Sequence, residues 1–255
     1  SVDLILAEDT RIAHDGLAWR GIHTPLKSCF AHNEKSRAAE AAERLARGER
    51  LALVSDAGMP LVSDPGQEVV AAALQAGATV RIVPGPSAVL AALALSGLPA
   101  QPFRFAGFPP RPEGQRASFV AALAGAPETS ILFESPRRLQ DLLRRIAEAM
   151  PERPVALCRD LTKQSEQVWR GTAATVATEL AAIEEPAGEF CLVVGPAEPS
   201  VSAPADDRHR EALLKALLAA EVPASAIARA LRQADIMGRA EAYALLQRLK
   251  DEAET

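Results

Sequence analysis

Short apolar runs recur along the first three quarters of the chain. Each gives way to a polar or Gly/Pro cluster, and many of these lead into apolar residues at helical spacing. Residues 3–7 form such a run and predict a strand; Glu8-Asp-Thr-Arg11 follows, then a helix over 11–19. A second short strand is expected at 27–31. Asn33 then stands as the cap of a helix through about 46, with Glu40, Glu43, Arg44 and Arg47 on its wet side. Strands at 51–55 and 79–83 are separated by a helix over 68–76. This β-α-β-α alternation predicts a mostly parallel sheet covered by helices.

The next helix, 88–96, is apolar on every side and is expected to be buried, with Gly97 as its stop signal. A strand at 103–108 leads away from this unit into Pro109-Pro-Arg-Pro-Glu-Gly114, the densest Pro/Gly run of the chain and the expected domain boundary. A second unit follows, with strands near 130–133, 155–158, 167–170 and 189–194 and helices near 137–149 and 172–183. Residues 195–205 read as a linker, and the tail 206–250 as about three short helices broken at Pro223 and Gly238. The expected division is thus 1–109, 115–195 and a helical extension, 206–255.

Composition narrows the function classes. The 255 residues are 48% hydrophobic and 24% charged, which is ordinary for a globular protein; aromatic residues make up only 4%, as expected of many closely packed helices. No run of eighteen apolar residues occurs, and a cytoplasmic protein is expected. Cys29, Cys158 and Cys191 are far apart, and His14, His23, His32 and His209 lack ligand spacing, so neither a disulfide frame nor a metal site is expected. The net charge of −5 argues against wholesale nucleic-acid binding. The middle segment, 101–170, nevertheless holds 11 basic and 8 acidic side chains, a local basic surplus.

Two loops carry the candidate chemistry. Leu53-Val-Ser-Asp-Ala-Gly-Met-Pro-Leu-Val-Ser-Asp-Pro-Gly66 joins an apolar run to a helix, and Val80-Arg-Ile-Val-Pro-Gly-Pro-Ser87 does the same. In open α/β sheets ligands lie beyond the carboxyl ends of strands, where such loops sit. Neither loop has the G-x-G-x-x-G or Walker spacing of a dinucleotide or P-loop site. Asp64, before Pro65, and Ser87 also suit plain helix caps. Glu8, Asp9 and Arg11 cluster at a strand end. They read either as an ion pair shaping a cleft or as a base with a phosphate partner, and the residues alone leave both open.

The ordered blocks identify a family resemblance. Ala7-Glu-Asp-Thr-Arg11, His32-Asn-Glu34, Val54 to Gly66, Val83-Pro-Gly-Pro-Ser-Ala88, Phe105-Ala-Gly-Phe108, Phe133-Glu-Ser-Pro136, Arg159-Asp-Leu-Thr-Lys163, Arg170-Gly171 and Gly188-Glu-Phe190 recur in the order of the tetrapyrrole methylase superfamily. The chain is most similar to its bacterial branch that methylates a cytidine ribose 2′-hydroxyl in 16S ribosomal RNA. That resemblance implies an α/β fold: two α/β domains with a cofactor cleft between them, and a small C-terminal helical extension. It implies S-adenosylmethionine as cofactor, 16S rRNA in the small ribosomal subunit as partner, no membrane, and a homodimer. The cofactor contacts it implies are Asp56, Ala57, Gly58, Met59, Ser63, Asp64, Pro84, Gly85, Ser87 and Glu134. Arg11, Arg111, Arg137, Arg138 and Lys163 are the RNA-binding candidates. Glu8, Asp9, His32 and Lys163 are candidates for proton removal, none assigned. Within the same fold a precorrin-type tetrapyrrole is the rival substrate, and a non-catalytic RNA-binding protein is the rival class. The family's opening strand and Thr-Pro-Ile-Gly-Asn-Leu-like loop have no counterpart in this chain by that comparison. Met59 stands where Thr is usual, and Arg137 where His is usual.

Overall fold

A computed structural model gives the structure and describes residues 1–198, 204–220, 222–233 and 236–253. In chain order its elements are β1 (Leu4–Ala7), α1 (Thr10–Ala18), β2 (Leu26–Ser28), α2 (Glu34–Ala46), β3 (Leu51–Val54), α3 (Gln67–Gln75) and α4 (Ala88–Ser96). There follow β4 (Phe103–Gly107), α5 (Glu113–Ala124), β5 (Thr129–Glu134), α6 (Pro136–Ala149), β6 (Pro154–Arg159), β7 (Gln167–Thr172), α7 (Ala173–Ala181) and β8 (Phe190–Val194). The chain ends in α8 (Pro204–Ala219), α9 (Ala224–Gln233) and α10 (Arg239–Ala253). Residues 1–197 form one compact unit and 198–255 another.

The first unit holds two sheets. β2-β1-β3 is parallel throughout, as the β-α alternation predicts. Its apolar residues Leu4, Leu6 and Cys29 are covered by Ala38 and Ala41 of α2 and Val69 of α3. The expected strand at 79–83 does not form. Its backbone pairs with no strand among the described residues, and Val80, Ile82 and Val83 are exposed, Val83 to 85%. A β-branched run is a strand only when a ladder partner is at hand, and this sheet ends at β3.

The second sheet runs β4-β5-β8-β6-β7. β4 precedes the Pro109–Gly114 run, yet it pairs in parallel with β5, so that run connects two strands of one sheet. Helix α5, unassigned in the sequence reading, begins inside that run. Alternate residues of the central strands point to opposite faces. Leu132, Leu157 and Leu192 meet α6 and α7 through Leu139, Leu142, Leu143, Ile146, Val176 and Leu180. Ile131, Ala156, Cys158, Cys191 and Val193 meet Val89, Ala92 and Leu93 of α4 on the other face. The α6 leucines recur at helical spacing and are fully buried, each burial worth roughly 1.5–3 kcal/mol. Helix α4 is not buried all round: Leu90 is 56% exposed and Leu95 36%. Gly97 ends it in the left-handed conformation, as expected.

The second unit packs α8, α9 and α10 around Leu214, Ile227, Leu231, Leu246 and Leu249. Its breaks fall at Pro223 and next to Gly238, the expected positions. Of the expected linker, residues 199–203 lie outside those described, and Pro204 already opens α8.

Candidate active site at the strand ends

The carboxyl ends of β1 and β3 converge on one set of loops. Asp9 caps α1, accepting from the Arg11 N–H at 2.8 Å, while its own N–H donates to Asp56 Oδ1 at 3.0 Å. The two strand-end loops are thereby tied together. Arg11 also clamps the Asp9 carboxylate, Nη2 to Oδ2 at 2.6 Å. Hydrogen bonds from the Arg11 side chain and backbone hold that carboxyl down at about 2. The cluster is a capped ion pair, and the lowered carboxyl makes Asp9 a weak base near neutral pH.

The loop after β3 and the loop before α4 touch each other. The Gly85 N–H points at Met59 Sδ from 3.1 Å. A Cβ built on Gly85 would lie 3.5 Å from the Gly58 carbonyl, and one on Gly58 would lie 3.6 Å from that of Pro86. Gly58 has φ +75°, the left-handed region that favours glycine. Asp56, Ala57, Gly58, Pro84 and Gly85 are exposed, so their backbone groups are open to a ligand. Leu61 and Ser63 also have positive φ, 72° and 71°, in the same loop. Such strained non-glycine residues gather at binding sites.

Asp64 is half-buried, and its carboxyl is pushed up to about 6, first by desolvation and then by the charge of Glu8, against a hydrogen bond from Ser55; Asp56 adds a smaller push. Asp64 is not the cap of α3. That position is Gly66, and the acceptor is Glu34, whose Oε1 takes the N–H of Gly66 at 2.8 Å and of Glu68 at 2.9 Å. Glu34 thus pins the far end of the loop from another helix. No local spacing in the sequence signals this, because 32 residues separate donor and acceptor. Ser87 caps α4, its hydroxyl accepting from the Leu90 N–H at 3.4 Å.

Helix α4 places this loop over the second sheet. Just beyond its C-terminal end, the Pro99 carbonyl accepts from Thr129 at the start of β5. The nine-residue helix spans about 13 Å. Phe105, Phe133 and Leu161 pack against the α4 cluster.

Other predicted site residues have different work. The Glu134 side chain is fully buried; it accepts from Arg138 Nη2 at 2.6 Å, from the Ser135 N–H at 2.7 Å and from Arg116 Nη2 at 3.5 Å. The carboxylate neutralises two arginines, and Arg138 is its ion-pair partner. Lys163 meets Glu189 at 2.9 Å and Asp160 at 3.8 Å, and the Glu189 hydrogen bond raises its pKa. That is the opposite of the lowering a lysine base requires. His32 is exposed and edge-on to Phe30, 6.4 Å between ring centroids. Arg111 and Arg137 are exposed.

The family model for tetrapyrrole (corrin/porphyrin) methylases matches residues 1–177. Among curated relatives, ribosomal RNA small subunit methyltransferase I of Mesorhizobium japonicum is 42% identical, covering 100% of this chain and 85% of that protein. The protein of the same name from Xylella fastidiosa is 44% identical over 84% of this chain and 80% of its own length. Among solved structures, the methyltransferase CobJ has a TM-score of 0.53 at 20% identity, over 77% of this chain and 95% of that one. Diphthine synthase has a TM-score of 0.53 at 16% identity, over 76% and 80%. The chain belongs to the tetrapyrrole (corrin/porphyrin) methylase family.

Proposed function

We propose that this protein transfers a methyl group from S-adenosylmethionine to a ribose 2′-hydroxyl of a cytidine in 16S ribosomal RNA. The observation that carries the reading is the meeting of two backbone-rich loops, Gly58-Met59 with Gly85-Pro86, where the strand ends of the first sheet open. Relatives over 40% identical carry the name of a small-subunit rRNA methyltransferase.

The residues present fit the cofactor. Burial first, and then the charges of Glu8 and Asp56, push the Asp64 carboxyl up to about 6, so three carboxylates concentrate negative charge at the site. A cationic sulfonium and an ammonium group offset that charge. The exposed backbone of 56–58 and 84–85 offers hydrogen-bonding groups to polar ligand parts. When bound, the cofactor supplies a methyl group already activated by positive charge. The chain's own contribution is alignment: Asp56 ties the two strand-end loops, Glu34 anchors the helix side, and Ser87 fixes the second loop. In this reading 1–109 and 115–195 are the two halves of the cleft and 206–255 an appendage. The protein acts in the cytoplasm as a homodimer on the small subunit. Among the described residues no helix is long and apolar enough to cross a membrane.

Two measurements test this. Small-subunit particles from cells lacking the protein, incubated with it and labelled cofactor, should gain one ribose methyl mapped by mass spectrometry. Calorimetry should show cofactor binding that Asp56→Ala weakens while the fold persists. Particles that stay unlabelled, together with silent calorimetry, would refute the reading. Label appearing in a precorrin instead would replace the substrate.

A further inference from the structure

The basic surplus of residues 101–170 is mostly consumed internally. Arg104 meets Glu128; Arg116 and Arg138 meet Glu134; Arg144 and Arg145 meet Asp141; Arg159 meets Asp160. Arg111 and Arg137 differ: both are exposed, and neither has a hydrogen-bond or ion-pair partner among the described residues. Arg111 lies three residues beyond an exposed aromatic ring, and Arg137 lies in the first turn of the helix that Arg138 ties to the same loop. Phe108 is 52% exposed and stands edge-to-face on Phe133, 5.7 Å between centroids at 62°. Phe133 is braced in turn by Phe105 at 4.9 Å. The Pro109 carbonyl accepts from Arg138 Nη1 at 3.4 Å, which holds this loop against the first turn of α6, where Arg137 projects. Arg111 is three residues beyond Phe108, at most about 11 Å along the chain.

Phe108 also stands at the right place. It follows β4, whose end neighbours the end of β5, and Phe105 and Phe133 of those strands pack against the α4 cluster. Three phenylalanines thus stack edge to face, and the outermost ring is open to a ligand. Aromatic faces bind unstacked bases, and free arginines bind the phosphates beside them.

We propose that Phe108 is a stacking platform for an RNA base at the mouth of the cleft, with the guanidinium groups of Arg111 and Arg137 on adjoining phosphates. The inference rests on the reading of RNA as substrate. It adds the side chain that holds a base out of its stack so that the neighbouring ribose is presented.

The test uses the full chain and a fluorescent oligocytidylate, read by anisotropy, with cofactor affinity measured separately. Phe108→Leu should weaken RNA binding about tenfold, and Phe108→Trp should restore it, with cofactor affinity and circular dichroism unchanged. The double variant Arg111→Ala, Arg137→Ala should flatten the slope of log affinity against log salt by about 1.4. Unchanged RNA affinity in Phe108→Leu would overturn the platform. So would a change in sedimentation without a change in RNA affinity, which would make Phe108 a contact between copies. Cofactor binding and methyl transfer by the unaltered protein report on the parent reading, so the two can fail apart.

Discussion

Replacing Glu34 by alanine probes how the cofactor loop is held. Its Oε1 accepts two backbone N–H groups, from Gly66 and Glu68. Glu68 is exposed, so water can replace the acceptor there at little net cost. Gly66 is buried, and its N–H donates to Glu34, so the truncation leaves a buried donor without its acceptor. An unsatisfied buried N–H costs about 1–3 kcal/mol. For a unit of this size each kcal/mol moves the melting temperature by roughly 2–4 °C. A midpoint lowered by about 2–12 °C in a calorimetric scan is therefore expected, with cofactor affinity reduced because residues 56–64 lose their anchor. Glu34→Gln keeps an acceptor oxygen and should recover most of both losses. A Glu34→Ala protein that melts like the parent and binds cofactor equally well would show that Glu34 does not hold the loop.

Other outcomes follow from the same geometry. Glu134→Ala leaves Arg116 buried with Asp141 at 3.5 Å as its remaining carboxylate, and should cost about 3–5 kcal/mol in urea unfolding. Asp64 has a folded pKa near 6 against 3.8 unfolded, so the folded state holds its proton longer; stability is lost as pH rises from about 4 to 6 and is flat above. Asp64→Asn should abolish that loss in pH-dependent melts. Cofactor affinity should rise through the same interval in the parent, because the ionised carboxylate suits a cation, and Asp64→Asn should flatten that rise in titration calorimetry. Gly188→Ala forces a Cβ to 2.5 Å from Asp160 Oδ2 at φ +110°, and should lower the melting point, with Asp160→Ala partly compensating in the double variant.

Much of the fold was legible because it rests on local rules. The apolar spacing of Leu139, Leu142, Leu143 and Ile146 announces α6, and Gly97 announces the end of α4. The loops of the site were legible as Gly/Pro punctuation after strands. What escaped depends on partners distant in sequence. The 79–83 run has strand composition but no ladder beside it. Glu134 looks like a cleft carboxylate until Arg116, eighteen residues earlier, is seen against it. Lys163 looks free until Glu189 arrives from the end of another loop. Helix α5 was hidden by the prolines before it, which mark its start.

The unpaired edge of the first sheet has a practical side. Among the described residues β3 pairs with a strand on one side only, and the same unit shows Ile82 and Val83 to solvent. Such an edge is a template for any extended chain it meets. Sample concentration, more than heat, then sets how long a preparation stays dispersed, and a lysine in place of Ile82 would lengthen its shelf life.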